Sequence, residues 1–378
     1  MNFASYWPFR LLTLSRYGGW GILLWLLWGL PANAVELRVA IRKSSPQVQI
    51  GSSTTGTIRD SRGRAVLQLP ELQPISVDSI GSRLELTDGY DEFGQSNAFW
   101  LEPAADGVVW IGDRWYRGKV KLVPGDNGVT AVNYVDIDDY LYSVVGSEMP
   151  ASWPQEALRS QAVAARSYAL YKQNKASGQT YDLSSTQTSQ VYKGLDGEAY
   201  STRSAVDATQ GKVLVHSGKI IEAVFHSSSG GHTENSEHVW SKSVPYLKGV
   251  PDFDQNAPVY SWRAQFSLDE VGARIGYPGT IQAVEVLSRT PQGRANRMSI
   301  IGDAGNLTVT GNTFRQKLGL RSTKFDLAVG PTSISVAGNG FGHGIGMSQW
   351  GARGMAERGQ QYREILTHFY DGTQLGSM

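Results

Sequence analysis

The chain has 378 residues, with 35 Lys and Arg against 34 Asp and Glu and a pI near 7.9. Charges so evenly balanced, with no basic stripe, argue against nucleic acid as the main partner. There is no cysteine, which excludes thiolate catalysis and Cys-based zinc sites and leaves the fold to rest on its core alone.

The N-terminus reads as an export signal. Arg10 and Arg16 form a positive region, Trp20 to Leu30 is a compact apolar run, Pro31 breaks it, and Ala32-Asn33-Ala34 offers small residues in an A-x-A cleavage pattern. The run is shorter than the ~20 apolar residues a spanning helix needs. A retained anchor is the alternative, but all the signal parts occur in order. Residues 1–34 are therefore assigned to a signal peptide, and the mature chain to the periplasm or cell wall. No second apolar run of spanning length follows, so no membrane contact is expected after cleavage.

Residues 35–126 read as a β-rich part. Val35 to Ile41 alternates with a period near two, and Val48–Ile50, Ala65–Leu69, Val108–Ile111 and Trp115–Leu122 continue the series. Turn clusters at Asp60–Gly63 and Pro124–Gly128 separate them. Residues 85–105 are polar and glycine-containing and read as a loop. Residues 127–375 read as a mixed body that begins with a strand at Val129–Val135.

The strongest helix spans about 153–176. Ser152 and Gln155 make an S-x-x-Q capping box, Pro154 sits in the first turn, and Leu158, Ala162, Ala165 and Ala169 form one stripe. Alanine at three of those places lets another element approach closely. Val213–His216 and Ile220–His226 look like a hairpin turning at Ser217-Gly218-Lys219. A short helix starts at Ser267 and runs to Ile275. Strands follow at Ile281–Arg289, Arg297–Asp303 and Leu307–Val309, then a helix at Gly311–Leu318. A glycine-rich loop at 338–346 precedes helices at about 347–358 and 361–370. No fixed-period repeat is present. The fold class is α+β, with helices flanking a cleft.

Among chemistry-bearing residues, Glu148 stands in the connection ahead of the long helix. Connections held by rigid elements often carry catalytic groups. It could equally be a surface charge favoured by the positive end of that helix, which would lower its pKa where a general acid needs it raised. Asp136, Asp138 and Asp139 lack the glycine and distal glutamate of a calcium loop and read as solvated or capping residues. Arg159 and Arg166 share a helical face and either bind a carboxylate or solvate that face. Gln190 and Tyr192 lie in a polar segment of the kind found in sugar sites and in ordinary loops.

His226, His232 and His238 recur at steps of six, matching no familiar zinc spacing. They could form a zinc site only if the loop folded back. In Gly338–Trp350, alternate glycines fit neither nucleotide-binding glycine motif, so no nucleotide is implied. His343, Gln349 and Trp350 are its polar and aromatic members, in a loop that either approaches a ligand or simply packs tightly. No metal or cofactor is expected.

Three stretches together resemble the SpoIID/LytB family: D-I-D-D-Y-L-Y-S-V-V-G-S-E-M-P-A-S-W-P-Q-E-A-L-R-S-Q-A-V-A-A-R-S-Y-A-L at 136–170, F-H-S-S-S-G-G-H-T-E at 225–234, and G-N-G-F-G-H-G-I-G-M-S-Q-W-G-A-R-G-M-A at 338–356. The resemblance implies a peptidoglycan lytic transglycosylase acting on glycan strands stripped of stem peptides. It maps the catalytic glutamate onto Glu148 of the E-M-P triplet and makes 127–375 the catalytic body. Arg159, Arg166, Gln190, Tyr192, His343 and Gln349 then become expected substrate-binding residues. Some family members hold zinc with His and Cys around the segment matching 226–238; this chain has the histidines without the cysteines, so structural zinc is not expected. The LytB branch implies a different role, a non-catalytic enhancer whose partner is a cell-wall amidase. A weaker alternative is a zinc amidase built on the three histidines.

Overall fold

The computed structural model describes residues 35–240 and 242–378; the signal-peptide assignment at 1–34 lies outside them. The architecture is α+β. Residues 36–136 build two antiparallel sheets. One runs, in spatial order, Glu36–Ser45, Gly128–Asp136, Lys119–Gly125, Phe99–Pro103, Gly56–Asp60 and Ala65–Leu69, with the short Leu183–Ser184 strand added in parallel beside Glu36–Ser45. The other runs Arg114–Tyr116, Val109–Ile111, Gln47–Ser52, Ile75–Ile80, Arg83–Thr87 and Glu92–Ser96. The sheets contact each other through their central strands, burying Leu37, Val39, Ile50, Ile58, Val77, Leu84, Leu101, Leu122 and Ala131. Alternation puts these on inner faces and the polar residues between them outside. The hairpin Lys119–Gly125 to Gly128–Asp136 straddles the expected junction at 126/127, and its second strand pairs with the first strand of the chain.

The expected loop at 85–105 is corrected: it contains the ends of Arg83–Thr87 and all of Glu92–Ser96 and Phe99–Pro103. Glu92–Ser96 is an edge strand whose sequence, E-F-G-Q-S, has a single apolar side chain, Phe93. Backbone pairing with Arg83–Thr87 holds it there, so side-chain alternation carries no signal.

The helices are α1 (Ile137–Glu148), α2 (Gln155–Lys175), α3 (Tyr200–Asp207), α4 (Ser236–Trp240), α5 (Leu268–Ile275), α6 (Gly311–Leu318), α7 (Gln349–Glu357) and α8 (Tyr362–Phe369). Asp136 caps α1 by accepting from the Asp138 N–H at 2.8 Å, as one reading of the acidic cluster expected. α2 is the hub: α1, α3, α7, α8 and the Lys212–His216 strand all pack on it. Leu158, Ala162, Ala165 and Ala169 are fully buried, so the alanine stripe serves close approach. The Ser152/Gln155 capping box does not form. Pro154 itself occupies the cap position, and the Gln155 amide donates instead to the Ser201 carbonyl. A proline there fixes extended backbone ahead of the first turn and leaves α2 without a side-chain cap. The turn at Ser217-Gly218 is seen, but its second strand ends at Ile220; Phe225–His226 pairs instead, in parallel, with Met347–Ser348.

Residues 261–339 form a further set of elements around their own buried residues, among them Trp262, Val271, Met298, Ile300, Phe314, Phe325 and Ile334. Ser267 and Thr310 cap α5 and α6 through their hydroxyls, and Gly276 and Gly319 end them in the left-handed region. None of the described helices is long and apolar enough to cross a membrane.

A cleft around Glu148

Glu148 is the last residue of α1 and does not stand in the connection beyond it. Its side chain therefore belongs to the negative end of its own helix, where the dipole disfavours a carboxylate. One carboxylate oxygen accepts from the Val191 N–H at 2.9 Å, and the other from the Gln349 amide at 3.3 Å. Burial raises the pKa of this carboxyl; the two donors and nearby Lys193 pull it back only in part. The opposing tendencies read from the sequence are thus resolved in favour of an acid that holds its proton longer than an ordinary glutamate. α1 reaches this place because Gly146 lies against the turn at Gly194–Gly197: a Cβ at Gly146 would stand 2.1 Å from the Gly197 carbonyl oxygen.

The cleft over Glu148 has a volume of about 520 Å³. Gln187, Thr188, Ser189 and Val191 form one side. Phe341, Gly342, His343 and Gln349 form another. Both belong to segments in which substrate-binding residues were expected. A third side belongs to none of them: Tyr168 and Glu222, the stretch from Val224 to Ser227, Trp240 and Arg315. Glu222 is the other carboxylate on this lining, and it is held in an ion pair with Lys172.

The remaining candidates separate. Arg166 is fully buried, ion-paired with Asp138 at 2.9 Å, and donates to the carbonyls of Thr209 and Lys212. It ties α1 and the end of α3 to α2 and presents nothing to the cleft. Arg159 pairs with Glu156, whose other oxygen accepts from the Tyr362 N–H, so it steadies the contact between α2 and α8. Gln190 is buried, accepting from the Tyr140 hydroxyl at 3.0 Å, and the buried Tyr192 hydroxyl donates to Asn133 at 2.9 Å. None of these four expected substrate contacts is on the cleft lining: Arg166, Gln190 and Tyr192 are buried and bonded inside the protein, and the partly exposed Arg159 pairs with Glu156.

His343 lines the cleft, but both ring nitrogens are taken. Nε2 donates to the Phe225 carbonyl and Nδ1 accepts from the Ile345 N–H, each at 3.1 Å. Burial and the nearby guanidiniums of Arg315 and Arg294 push its pKa down to about 4, so the ring is neutral. It offers the cleft a ring face beside Trp240, with centroids 5.5 Å apart. The His226 ring lies tilted against it, with centroids 5.2 Å apart. The three histidines once grouped for zinc are separate: His226 donates to the Ile345 carbonyl, His232 to that of Thr233, and His238 meets Glu234. Among the described residues no group of three or more His, Cys, Asp or Glu is placed to hold a metal ion.

The F-H-S-S-S-G-G-H stretch is fixed by two carboxylates that sequence reasoning passed over. Asp254 accepts from the Ser228 hydroxyl and the Gly230 and Gly231 N–H groups; Asp252 accepts from the Ser229 hydroxyl. Burial and the neighbouring Asp254 raise the pKa of Asp252. Ser228 in turn exchanges backbone hydrogen bonds with Phe341, which joins this stretch to the glycine loop. Gly340 makes that approach at φ +80°, where a Cβ would fall 2.7 Å from the Ser228 carbonyl oxygen.

A family model described as Stage II sporulation protein matches residues 125–216, which contain Glu148. A domain of unknown function matches residues 233–346. Stage II sporulation protein D of Bacillus amyloliquefaciens is 37% identical over 265 residues, spanning 65% of this chain and 75% of that one. An uncharacterized protein of Brachyspira hyodysenteriae is 36% identical over 278 residues, 71% of this chain and 74% of its own. The Amidase enhancer of Bacillus subtilis is 30% identical over 296 residues, 63% of this chain but 40% of that longer one. The chain belongs to the SpoIID/LytB family.

Proposed function

We propose that the chain is a lytic transglycosylase that cuts peptidoglycan glycan strands lacking stem peptides, with Glu148 as its single acid and base. The observation that carries this reading is the Glu148 carboxyl, half-buried in a cleft with its pKa raised by that burial. The protonated acid gives its proton to the glycosidic oxygen as the bond to C1 breaks. The resulting carboxylate then takes the proton of the muramyl 6-hydroxyl as that oxygen bonds to C1, closing a 1,6-anhydro ring. No water is consumed and no second carboxylate is needed, whereas hydrolysing glycosidases commonly use two. Gln349 and the ring face of His343 would border the sugar. Residues 1–34 would export the chain to the periplasm or wall, 35–126 would be an accessory part and 127–375 the catalytic body.

The test is a digestion of purified glycan strands, with and without stem peptides, read by mass spectrometry. Anhydro-muramyl ends support the reading; reducing ends would replace it with hydrolysis. The pH profile adds a second check. Activity needs the protonated acid, so it is expected to fall as pH rises through the raised pKa of Glu148, above the ordinary 4.5. The Gln349 amide favours the charged form. Gln349→Leu is therefore expected to raise that pKa further and carry the falling limb to higher pH; a limb that moves lower would contradict the role given to Gln349.

The likeness to an amidase enhancer favours a second reading, in which the same cleft binds glycan without cutting it and a cell-wall amidase is the partner. Faster turnover by an added amidase, with no anhydro ends, would decide for it.

A further inference from the structure

Arg315 is the one basic side chain on the lining of the Glu148 cleft, and it makes no ion pair among the described residues. It projects from α6 and is only partly exposed. Its Nε donates to the Leu320 carbonyl at 3.3 Å, which leaves the terminal nitrogens of the fork uncommitted. The one neighbouring carboxylate on the lining besides Glu148 is Glu222, already held by Lys172. Burial disfavours the charge of Arg315, and no acidic group offsets that cost. A buried cation without a counter-ion is expensive unless a ligand supplies one.

A second unmet group sits on the same lining. His226 donates through Nδ1 to the Ile345 carbonyl, which fixes the tautomer and leaves Nε2 as a lone-pair acceptor. That atom is buried and has no partner. Arg315 lies close enough to disfavour protonation of both His226 and His343. A ligand bearing a carboxylate would satisfy Arg315.

We propose that Arg315 reads the free lactyl carboxylate of a muramic acid residue and so selects strands from which the stem peptide has been removed. The proposal rests on the glycan reading of the cleft given above. The chemistry is a substitution at one carbon: with a stem peptide attached, the lactyl group is a neutral amide; with it removed, the group is a carboxylate. Only the carboxylate can form a charge-assisted, two-point contact with a guanidinium.

The experiment compares two probes that differ only there: peptide-free glycan strands, and the same strands with the lactyl carboxylates converted to methylamides. Binding is measured by calorimetry and cleavage by mass spectrometry, using the whole chain and the variants Arg315→Gln and Arg315→Lys, each checked for an unchanged melting temperature. The unsubstituted protein is expected to prefer the carboxylate strands by about 10- to 100-fold in affinity. Arg315→Gln is expected to bind both probes alike, with the loss confined to the carboxylate strands, and Arg315→Lys to recover part of the preference. Equal binding of both probes by the unsubstituted protein, or an intact preference in Arg315→Gln, overturns the proposal. The two readings fail separately. Preferential binding without cleavage leaves Arg315 in place and moves the protein to the enhancer class, while cleavage without preference keeps the transglycosylase and removes Arg315.

Discussion

Glu148→Gln is expected to lower glycan cleavage by about 10²- to 10⁴-fold while the protein melts at an unchanged temperature. Glutamine keeps the volume of the side chain and an oxygen for the Val191 N–H, so the fold has no reason to change. What is lost is a proton to give to the leaving oxygen and a base to take one back. Anhydro ends counted by mass spectrometry, beside a thermal melt by circular dichroism, check both halves. Cleavage retained by a folded variant would sink the mechanism. In the enhancer reading the same variant would still stimulate an amidase, so one protein preparation separates the two.

The second large effect is on stability. Arg166→Met is expected to cost about 3–5 kcal/mol, because it strips a buried charge pair of one member and leaves Asp138 and two carbonyls without their donor. Urea unfolding followed by tryptophan fluorescence measures it. A variant of full stability with a weakened affinity for glycan would restore Arg166 to the substrate-binding role that its helical position first implied.

How far the sequence reveals such roles depends on what carries the signal. The helices at 268–275 and 311–318 were legible because their ends are chemical: Ser267 and Thr310 supply capping hydroxyls, and Gly276 and Gly319 accept the left-handed backbone that stops them. The edge strand Glu92–Ser96 was not, since pairing along the backbone holds it and its single apolar side chain, Phe93, makes no alternation. At the site, Glu148 was legible as a residue, while its environment was not. Placing it ahead of α2 instead of at the end of α1 reversed the sign of the expected dipole effect. Arg166 and Arg159 share a face in sequence, but which face meets solvent is decided by α3 and α8, whose packing no local spacing encodes. Arg315 and Glu222 carry no motif; they join the cleft because distant elements bring them there. Asp252 and Asp254 are equally silent until their serine and glycine partners fold onto them.

The two donors that hold the Glu148 carboxylate come from 43 and 201 residues further along the chain. The strand at Gln374–Ser377 then closes against Lys212–His216. Such contacts pay their loop-closure entropy before they return any energy. A ribosome that has just released Glu148 has therefore made an acid with neither of its donors, and one that has passed Val191 still lacks the glycine loop and Gln349. The cleft is complete only when the chain as far as Gln349 is present. A chain broken before Gln349 keeps the glutamate and the Val191 N–H but lacks the second donor and the glycine-loop side of the cleft.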